Sequence, residues 1–299
     1  MSDYLLSVIL GIIEGLTEFL PVSSTAHLRL AEELMHVPLS RGYWKMYSIV
    51  IQLGAILVLP IYFRQHIAKL FSTFPEGENH DCDYLTHPLT LVMIAFVITA
   101  GPAFLLTHVI GKNLESLVVM GTALLLGGIV MWIVDAMKAP WEKAGPNTPG
   151  SPIHTWKMDD IRGGQAVWIG ACQILSAVFP GTSRSMSTIA AGQLVGMSRA
   201  AALEFSFFLS MPTMAVATLY TLYKSLAGKD EANPIGVAEI TSHEWVVLII
   251  GFVVSFLVAY GAVAWFIGWV RKHGFVPFAI YRIIVGALVL AWASGMIGH

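Results

Sequence analysis

The sequence predicts an all-α integral membrane protein organised as an inverted-topology repeat, each copy holding one re-entrant helix hairpin and three transmembrane helices. Three observations carry that prediction. Of 299 residues, 56% are hydrophobic and only 12% are charged, against roughly 25% charged in a soluble domain. Six apolar windows approach the ~20 residues that a helix needs to cross a bilayer. Two further apolar segments are broken in the middle in the same way and can be laid over each other.

In chain order, the first broken segment covers residues 4–36 and is interrupted at Pro21 within "IEGLTEFLPVSSTAH". Proline disfavours helix at the residue before it, and the Ser and Thr residues beyond it cap a new helix. Each half is too short to span, so the segment reads as a helix, a break and a second helix, a re-entrant hairpin. Its broken backbone must be buried in protein, because lipid satisfies no polar group. Spans follow at about 46–63, 89–111 and 116–137. Residues 138–163 form a linker, in which 139–160 is rich in Pro and Gly and reads as a loop without a catalytic role. The second broken segment, 164–197, is interrupted at Pro180-Gly181, and spans follow at about 203–223, 245–270 and 276–297. Met1, Ser2 and Asp3 provide no basic stretch ahead of the first apolar residues, so that segment is expected to stay in the mature chain.

An offset of 159 aligns Gly11 with Gly170, Leu16 with Leu175, Pro21 with Pro180, Ser24 with Ser183 and Ala31 with Ala190. The expected organisation is a first repeat over 1–137 and a second over 164–299. One hairpin plus three spans is an odd number of crossings, so the second copy enters the membrane upside down. Loop charges set the orientation. Arg64, Lys69, Lys138, Lys143, Lys157, Arg162, Arg199, Arg271 and Lys272 fall on one side, against Arg41, Lys45, Lys112, Lys224 and Lys229 on the other. By the positive-inside rule the first set is cytoplasmic, which places both termini and the mouth of the first hairpin outside. A net charge of -2 without a run of like charges excludes nucleic acid as a partner. Cys82 and Cys172 are far apart and without ligand-like spacing, so both read as unpaired thiols.

The chemistry is concentrated at the breaks. Glu14 and Glu18 are spaced i, i+4 and share one helix face. Carboxylates inside a membrane are expensive, so they point to a divalent cation with oxygen ligands or to proton handling; partial hydration or bonding to Thr17 is the plainer alternative. After Pro21 come Ser23, Ser24 and Thr25, then His27 one turn into the next helix, near enough for its imidazole to take a proton from Ser24. Capping accounts for one hydroxyl but not for three and a base. The second break, "FPGTSRSMST", supplies Thr182, Ser183, Arg184, Ser185, Ser187 and Thr188. Arg184 keeps its charge and needs an anion, either Glu14 or Glu18 or a phosphate. The phosphate reading is favoured because a guanidinium offers bidentate hydrogen bonds and a helix start offers free N–H groups. If the two copies bring both breaks together, two helix N-termini face one volume suited to a multiply charged anion. Gln52 and Glu204 read as interhelical hydrogen-bonding residues. Arg282 reads as a snorkelling residue near the cytoplasmic surface. His66, His80, His87, His154 and His243 carry no assigned role.

These segments resemble a known family. "EGLTEFLPVSSTAH" and "PGTSRSMST", with "EFSFFLSMP" and "VPFAIYR" downstream, look like the undecaprenyl-pyrophosphate phosphatases of the bacitracin-resistance type, from about residue 4 to 297. The resemblance implies removal of the terminal phosphate from a C55 polyprenyl diphosphate at the outer face of the bacterial cytoplasmic membrane. That reaction regenerates the lipid carrier for peptidoglycan and other wall polymers. It implies a divalent cation, Mg2+ or Ca2+, as cofactor. Its acidic pair falls on Glu14 and Glu18, its motif serine on Ser24, its histidine on His27, and its phosphate-binding residues on Ser183, Arg184 and Thr188. Ala26 and Met186 stand where the family usually has Gly, which puts the width of the site in question.

The expected mechanism has Ser24 attack the terminal phosphorus with help from His27, Arg184 among the catalytic groups, and Ser23, Thr25, Ser183, Ser185 and Thr188 binding phosphate. Direct attack by water activated by His27 or Glu18 is the variant. The expected partners are the lipid substrate, the bilayer and, as an open option, a second copy of the chain. A polyprenyl-phosphate flippase or transporter shares the architecture, but a carrier has no need of a paired nucleophile and base. The lipid phosphatases with a PSGH segment are a poorer match, because Ala190 stands where their second motif requires histidine.

Overall fold

A computed structural model of the chain describes residues 2–37, 42–78, 80, 82–106, 116–227 and 240–296. Among these residues the regular structure is helical. The helices are α1 (Asp3–Thr17), α2 (Ser24–Leu34), α3 (Gly42–Ile56), α4 (Val58–Tyr62), α5 (Arg64–Ser72), α6 (Pro88–Leu105), α7 (Leu117–Ala144), α8 (Gly163–Val178), α9 (Arg184–Leu194), α10 (Arg199–Leu226), α11 (Ser242–His273) and α12 (Val276–Ala293). Five of them, α6, α7, α10, α11 and α12, are long and apolar enough to cross a membrane, and Met46–Tyr62 with α5 makes a sixth if its 61° bend lies within one span. The protein is therefore a multi-pass membrane protein, and the two interrupted helix pairs, α1–α2 and α8–α9, fall where Pro21 and Pro180 put them.

Local chemistry sets the helix ends. Ser2 caps α1 by accepting the Leu5 N–H, His87 caps α6 ahead of Pro88, and Ser116 caps α7. Helix α7 runs past the expected end at 137, through Pro140, until Gly145 turns the chain with a φ of 89°. The end of the expected 89–111 span, residues 107–111, lies outside the described residues, as do Arg41, Lys112 and Lys229 among the charges used to orient the chain.

The chain divides into two compact units. The first contains residues 1–19, 24–62 and 210–264, and its core includes Leu6, Leu10, Tyr47, Ile51, Val247 and Leu248. In it α1 lies directly on α11: a Cβ added at Gly11 would fall 2.8 Å from the Gly251 carbonyl oxygen. Ser7 and Tyr47, polar groups buried in that core, are paired with each other and with the backbone. Ser7 Oγ donates to Val247 O at 2.7 Å, and the Tyr47 hydroxyl donates to Ser7 O at 2.9 Å.

The second unit contains residues 20–23, 63–209 and 265–299. Here α8 lies on α6 in the same manner, a Cβ at Gly170 falling 2.5 Å from Ala95 O, and Thr99 Oγ1 donates to Gly170 O at 2.8 Å. Fully buried Asp135 accepts from Arg199 Nε and Nη2 at 2.7 and 2.9 Å and from the Phe275 N–H at 2.9 Å. The stretch expected to be a plain loop is helical to Ala144 and then anchored. Thr155 is fully buried, accepts the Ser198 N–H at 2.8 Å and pairs with Gln165.

Candidate active site

The last turn of α1 presents Glu14 and Glu18 to the protein interior, 0% and 7% exposed. The two carboxyls interact, yet neither Glu14 oxygen has a well-formed hydrogen bond among the described residues. The chain then breaks, and α2 begins at Ser24. The Ser24 hydroxyl donates to Glu18 Oε2 at 2.6 Å, so its one proton points at a carboxylate. His27 is half-buried one turn further along α2, next to buried Ala26, and Thr25 is half-buried beside them. A third buried carboxyl, Glu32, escaped the sequence reading. It is 2% exposed and accepts from Ser48 Oγ at 2.6 Å and Arg29 Nη1 at 3.3 Å. The i, i+3 spacing of Arg29 and Glu32 was its one visible signal.

At the second break Ser183 caps α9, accepting the Met186 N–H at 3.3 Å, and its hydroxyl lies 3.0 Å from that of Ser185. Arg184 opens the helix and donates from Nη1 to Ser206 O at 3.3 Å. Thr188 is buried; its hydroxyl donates back to Arg184 O at 2.9 Å and lies 2.7 Å from Ser206 Oγ. Ser183, Arg184, Ser185 and Thr188 are thus brought together on the first turns of α9.

Arg282 differs from its sequence reading. Instead of snorkelling, it is 0% exposed and donates to four backbone carbonyls. These are Pro21 O at 3.0 Å, Gly181 O at 3.0 Å, Thr182 O at 2.9 Å and Ala123 O at 3.2 Å. Carbonyls at a break have lost their helical N–H partners and lipid offers no replacement, while guanidinium carries five donors in a fixed fork. Ser185 Oγ adds a bond to Leu20 O at 2.9 Å. Residues Leu20–Ser23, the turn between Glu18 and Ser24, are therefore tied inside the second unit to the residues of the second break.

The register between the breaks also differs by one position from the sequence alignment. Ser23 and Ser183 both have left-handed backbone, φ 75° and 69°, and each immediately precedes a helix, α2 at Ser24 and α9 at Arg184. Ser23 therefore corresponds to Ser183, and Ser24 to Arg184. The extra residue in the second break is Gly181, at φ 96°, where a Cβ would sit 2.5 Å from Met120 O. In the sequence the Ser-Ser and Thr-Ser runs align without a gap, which conceals this insertion.

The arrangement offers a hydroxyl with its proton on a carboxylate, and a helix N-terminus rich in hydroxyls and carrying a guanidinium. Glu14 and Glu18 suit a hard cation: they provide buried carboxylate oxygens, and the two of Glu14 have no well-formed hydrogen bond among the described residues. Among the described residues no cluster of three or more protein ligands exists. Mg2+ commonly binds through one or two carboxylates, with substrate phosphate and water completing its shell, so the donor set fits.

Against known proteins, the chain matches over residues 7–288 a family described as bacitracin resistance protein BacA. It is 64% identical to the undecaprenyl-diphosphatase of Koribacter versatilis over 294 residues, 98% of this chain and 99% of that one. It is 40% identical to that of a Bradyrhizobium species over 304 residues, 99% of both chains. The corresponding protein of Deinococcus radiodurans is 36% identical over 292 residues, 96% of this chain and 94% of its own.

Proposed function

The chain belongs to the bacitracin resistance protein BacA family, and from that premise we infer that it is an undecaprenyl-diphosphatase, an integral membrane enzyme that hydrolyses undecaprenyl diphosphate to undecaprenyl phosphate and phosphate. The reaction recycles the lipid carrier of peptidoglycan synthesis and confers bacitracin resistance. The observation that carries the chemistry is the 2.6 Å hydrogen bond from Ser24 to Glu18, a nucleophile already joined to a base.

In the mechanism, Ser24 Oγ attacks the terminal phosphorus while Glu18 takes its proton. The bond from that phosphorus to the bridging oxygen breaks, undecaprenyl phosphate leaves, and water then cleaves the phosphoseryl bond. His27, one turn along α2, serves proton transfer with the leaving oxygen and the incoming water. Arg184, Ser183, Ser185, Thr188 and the first N–H groups of α9 hold phosphate oxygens, and Ser23 and Thr25 line the other side. Thr188 does so by exchanging its bond to Ser206. Glu14 and Glu18 would hold Mg2+ or Ca2+, which when bound supplies neutralisation of charge on the phosphoryl oxygens. Within the second unit, Ser185 and Arg282 bond to Leu20 and Pro21, the turn that precedes Ser24 in the chain.

The architecture proposed is the inverted repeat with copies at 1–137 and 164–299. Its support is the equal length of α2 and α9, 11 residues each, and the paired glycine contacts at Gly11 and Gly170. The active site opens on the outer side of the cytoplasmic membrane, with both termini outside. Association with a second copy of the chain belongs to the same reading and is measured by light scattering of the solubilised protein.

Phosphate release from undecaprenyl diphosphate by purified protein in detergent tests the enzyme reading, because a flippase or transporter releases none without a second compartment. Substrate labelled in its terminal phosphate, quenched in acid, should leave label on Ser24. Ser24→Ala should lose at least ~100-fold in kcat, within the range for a nucleophile in a concerted site; near wild-type turnover would replace the covalent route with direct attack by water.

A further inference from the structure

Within the second unit, a groove of about 550 Å³ runs between α7, α8 and α9. That volume lies within the ~300–1,000 Å³ of ordinary ligand sites. Its walls include Leu126 and Val130 of α7, Leu175 of α8 and Leu194 of α9, and among the described residues no charged side chain lines it. Small residues, Ala123 and Gly127 of α7 and Ala190 and Ala191 of α9, also line it. Along α9 the lining positions run from Met186 to Leu194, about 12 Å at the helical rise. Thr182 and Ser187, on either side of Ser183 and Arg184 in the chain, also line it. One part of this apolar recess therefore belongs to the break that carries the guanidinium and the serine hydroxyls. A second recess, of about 410 Å³ at Trp132, Ala136 and Met137, includes no residue of either break, as expected of a surface that only meets bulk lipid.

We propose that the groove between α7, α8 and α9 binds the isoprene units of the substrate nearest its head group, so that the tail is held by protein while the diphosphate lies at Ser183 and Arg184. The proposal rests on the phosphatase reading for the identity of the ligand. An amphiphile with an anionic head and a branched apolar tail matches a site that has Thr182 and Ser187 of the second break at one part and mainly apolar side chains along the rest. Burial of that tail provides affinity that a head group shared by many soluble diphosphates cannot.

The chain carries its own reporter, because Cys172 is a half-buried free thiol lining the groove, while the other cysteine, Cys82, lies outside it. Maleimide labelling is followed at both thiols in the full-length protein in nanodiscs, with a non-hydrolysable undecaprenyl methylenediphosphonate as probe. The expected result is at least ~10-fold slower labelling of Cys172, with Cys82 unchanged and no protection by the same mole fraction of phosphatidylglycerol. Val130→Trp and Leu194→Trp, which fill the groove away from the break, should raise KM for undecaprenyl diphosphate about 10-fold and leave kcat nearly unchanged. Ile133→Trp, at the second recess, should change neither. Equal protection by phosphatidylglycerol would make this an ordinary lipid groove and overturn the proposal. So would unprotected Cys172 in a protein that hydrolyses substrate normally, and that outcome would leave the phosphatase reading intact. Protection without any phosphate release would retain the groove and remove the phosphatase.

Discussion

In the first hairpin the residue that opens the helix after the break is Ser24, and behind it stand Glu14 and Glu18; in the second, the equivalent residue is Arg184, and the equivalent of Glu14 is Gln173. The backbone around these positions is the same, with a proline, a serine at positive φ and an 11-residue helix. What differs is the sign of the charge placed on it. A helix N-terminus carries partial positive charge, so a serine there is helped toward its alkoxide by the dipole and by a neighbouring carboxylate. An arginine at the same place adds to the positive field, and in the proposed reading it grips an anion. In that reading one backbone device takes two chemical tasks, and the second break carries one more residue, Gly181.

The division of labour predicts unequal responses to substitution. Glu18→Gln removes the proton acceptor and should lower kcat by about 10³–10⁴-fold, at the upper end for a general base, with little change in KM. Arg184→Ala should act mainly through KM, by at least ~10-fold, with Arg184→Lys recovering part of the loss. If steady-state kinetics showed the reverse split, the assignment of chemistry to the first hairpin and grip to the second would be wrong.

Arg282 serves both breaks, so its removal should not discriminate between them. Arg282→Met removes the donor to four backbone carbonyls, two of them in buried bonds, and should cost about 2–6 kcal/mol of stability, at ~1–3 kcal/mol for each buried group left unsatisfied, read from denaturant unfolding in micelles. Arg282→Lys should recover only part, having three donors instead of five.

A symmetric effect is expected at the glycines. Gly11→Ala and Gly170→Ala each push a methyl into a carbonyl of the facing helix and should each destabilise by about 1–3 kcal/mol, with similar falls in Tm. A large fall at one alone would show that the two hairpins are seated differently.

The smallest effect concerns a contact of the second unit. His66 Nε2 lies 2.8 Å from Asp159 Oδ1, and Nδ1 lies 3.0 Å from Glu204 Oε1. With a carboxylate on each nitrogen the ring is a double donor, hence an imidazolium. Its hydrogen bond holds the Asp159 carboxyl below the usual range. A depressed carboxyl stabilises the fold above its ordinary pKa of about 3.9, and this is lost as pH falls through the lower folded value. Hydrogen exchange at 158–160 should accelerate on acidification below pH ~4 and lose that dependence in Asp159→Asn. The energy involved is at most about 1 kcal/mol, because both carboxylates are about one-third exposed.

Much of this was visible in the residues. Pro21 and Pro180 located both breaks, because proline acts locally through its own ring and missing N–H. The apolar windows located the long apolar helices, though α7 continues past its expected end because Pro140 sits close enough to the helix terminus to be absorbed. Glu14 and Glu18 were legible as a pair because helical spacing alone puts them on one face. The partner of Ser24 was not: His27 is nearer along α2, yet the proton goes to Glu18 across the turn, since the break folds the end of α1 back toward the start of α2. Arg282 was misread because an arginine near the start of an apolar window is ordinarily an interfacial residue, and its acceptors come from three distant stretches of chain.

By itself, the sequence determined the features that composition and short-range sterics dictate: a membrane protein, its apolar segments, its two interruptions and the kinds of side chain gathered at them. Only the tertiary structure decided which carbonyls a buried guanidinium satisfies, which oxygen receives the Ser24 proton and how the two breaks register against each other. Those are pairings between groups remote in the chain. In a medium without water to hydrogen-bond unpaired groups, they are settled by which donors and acceptors the packed helices bring within about 3 Å.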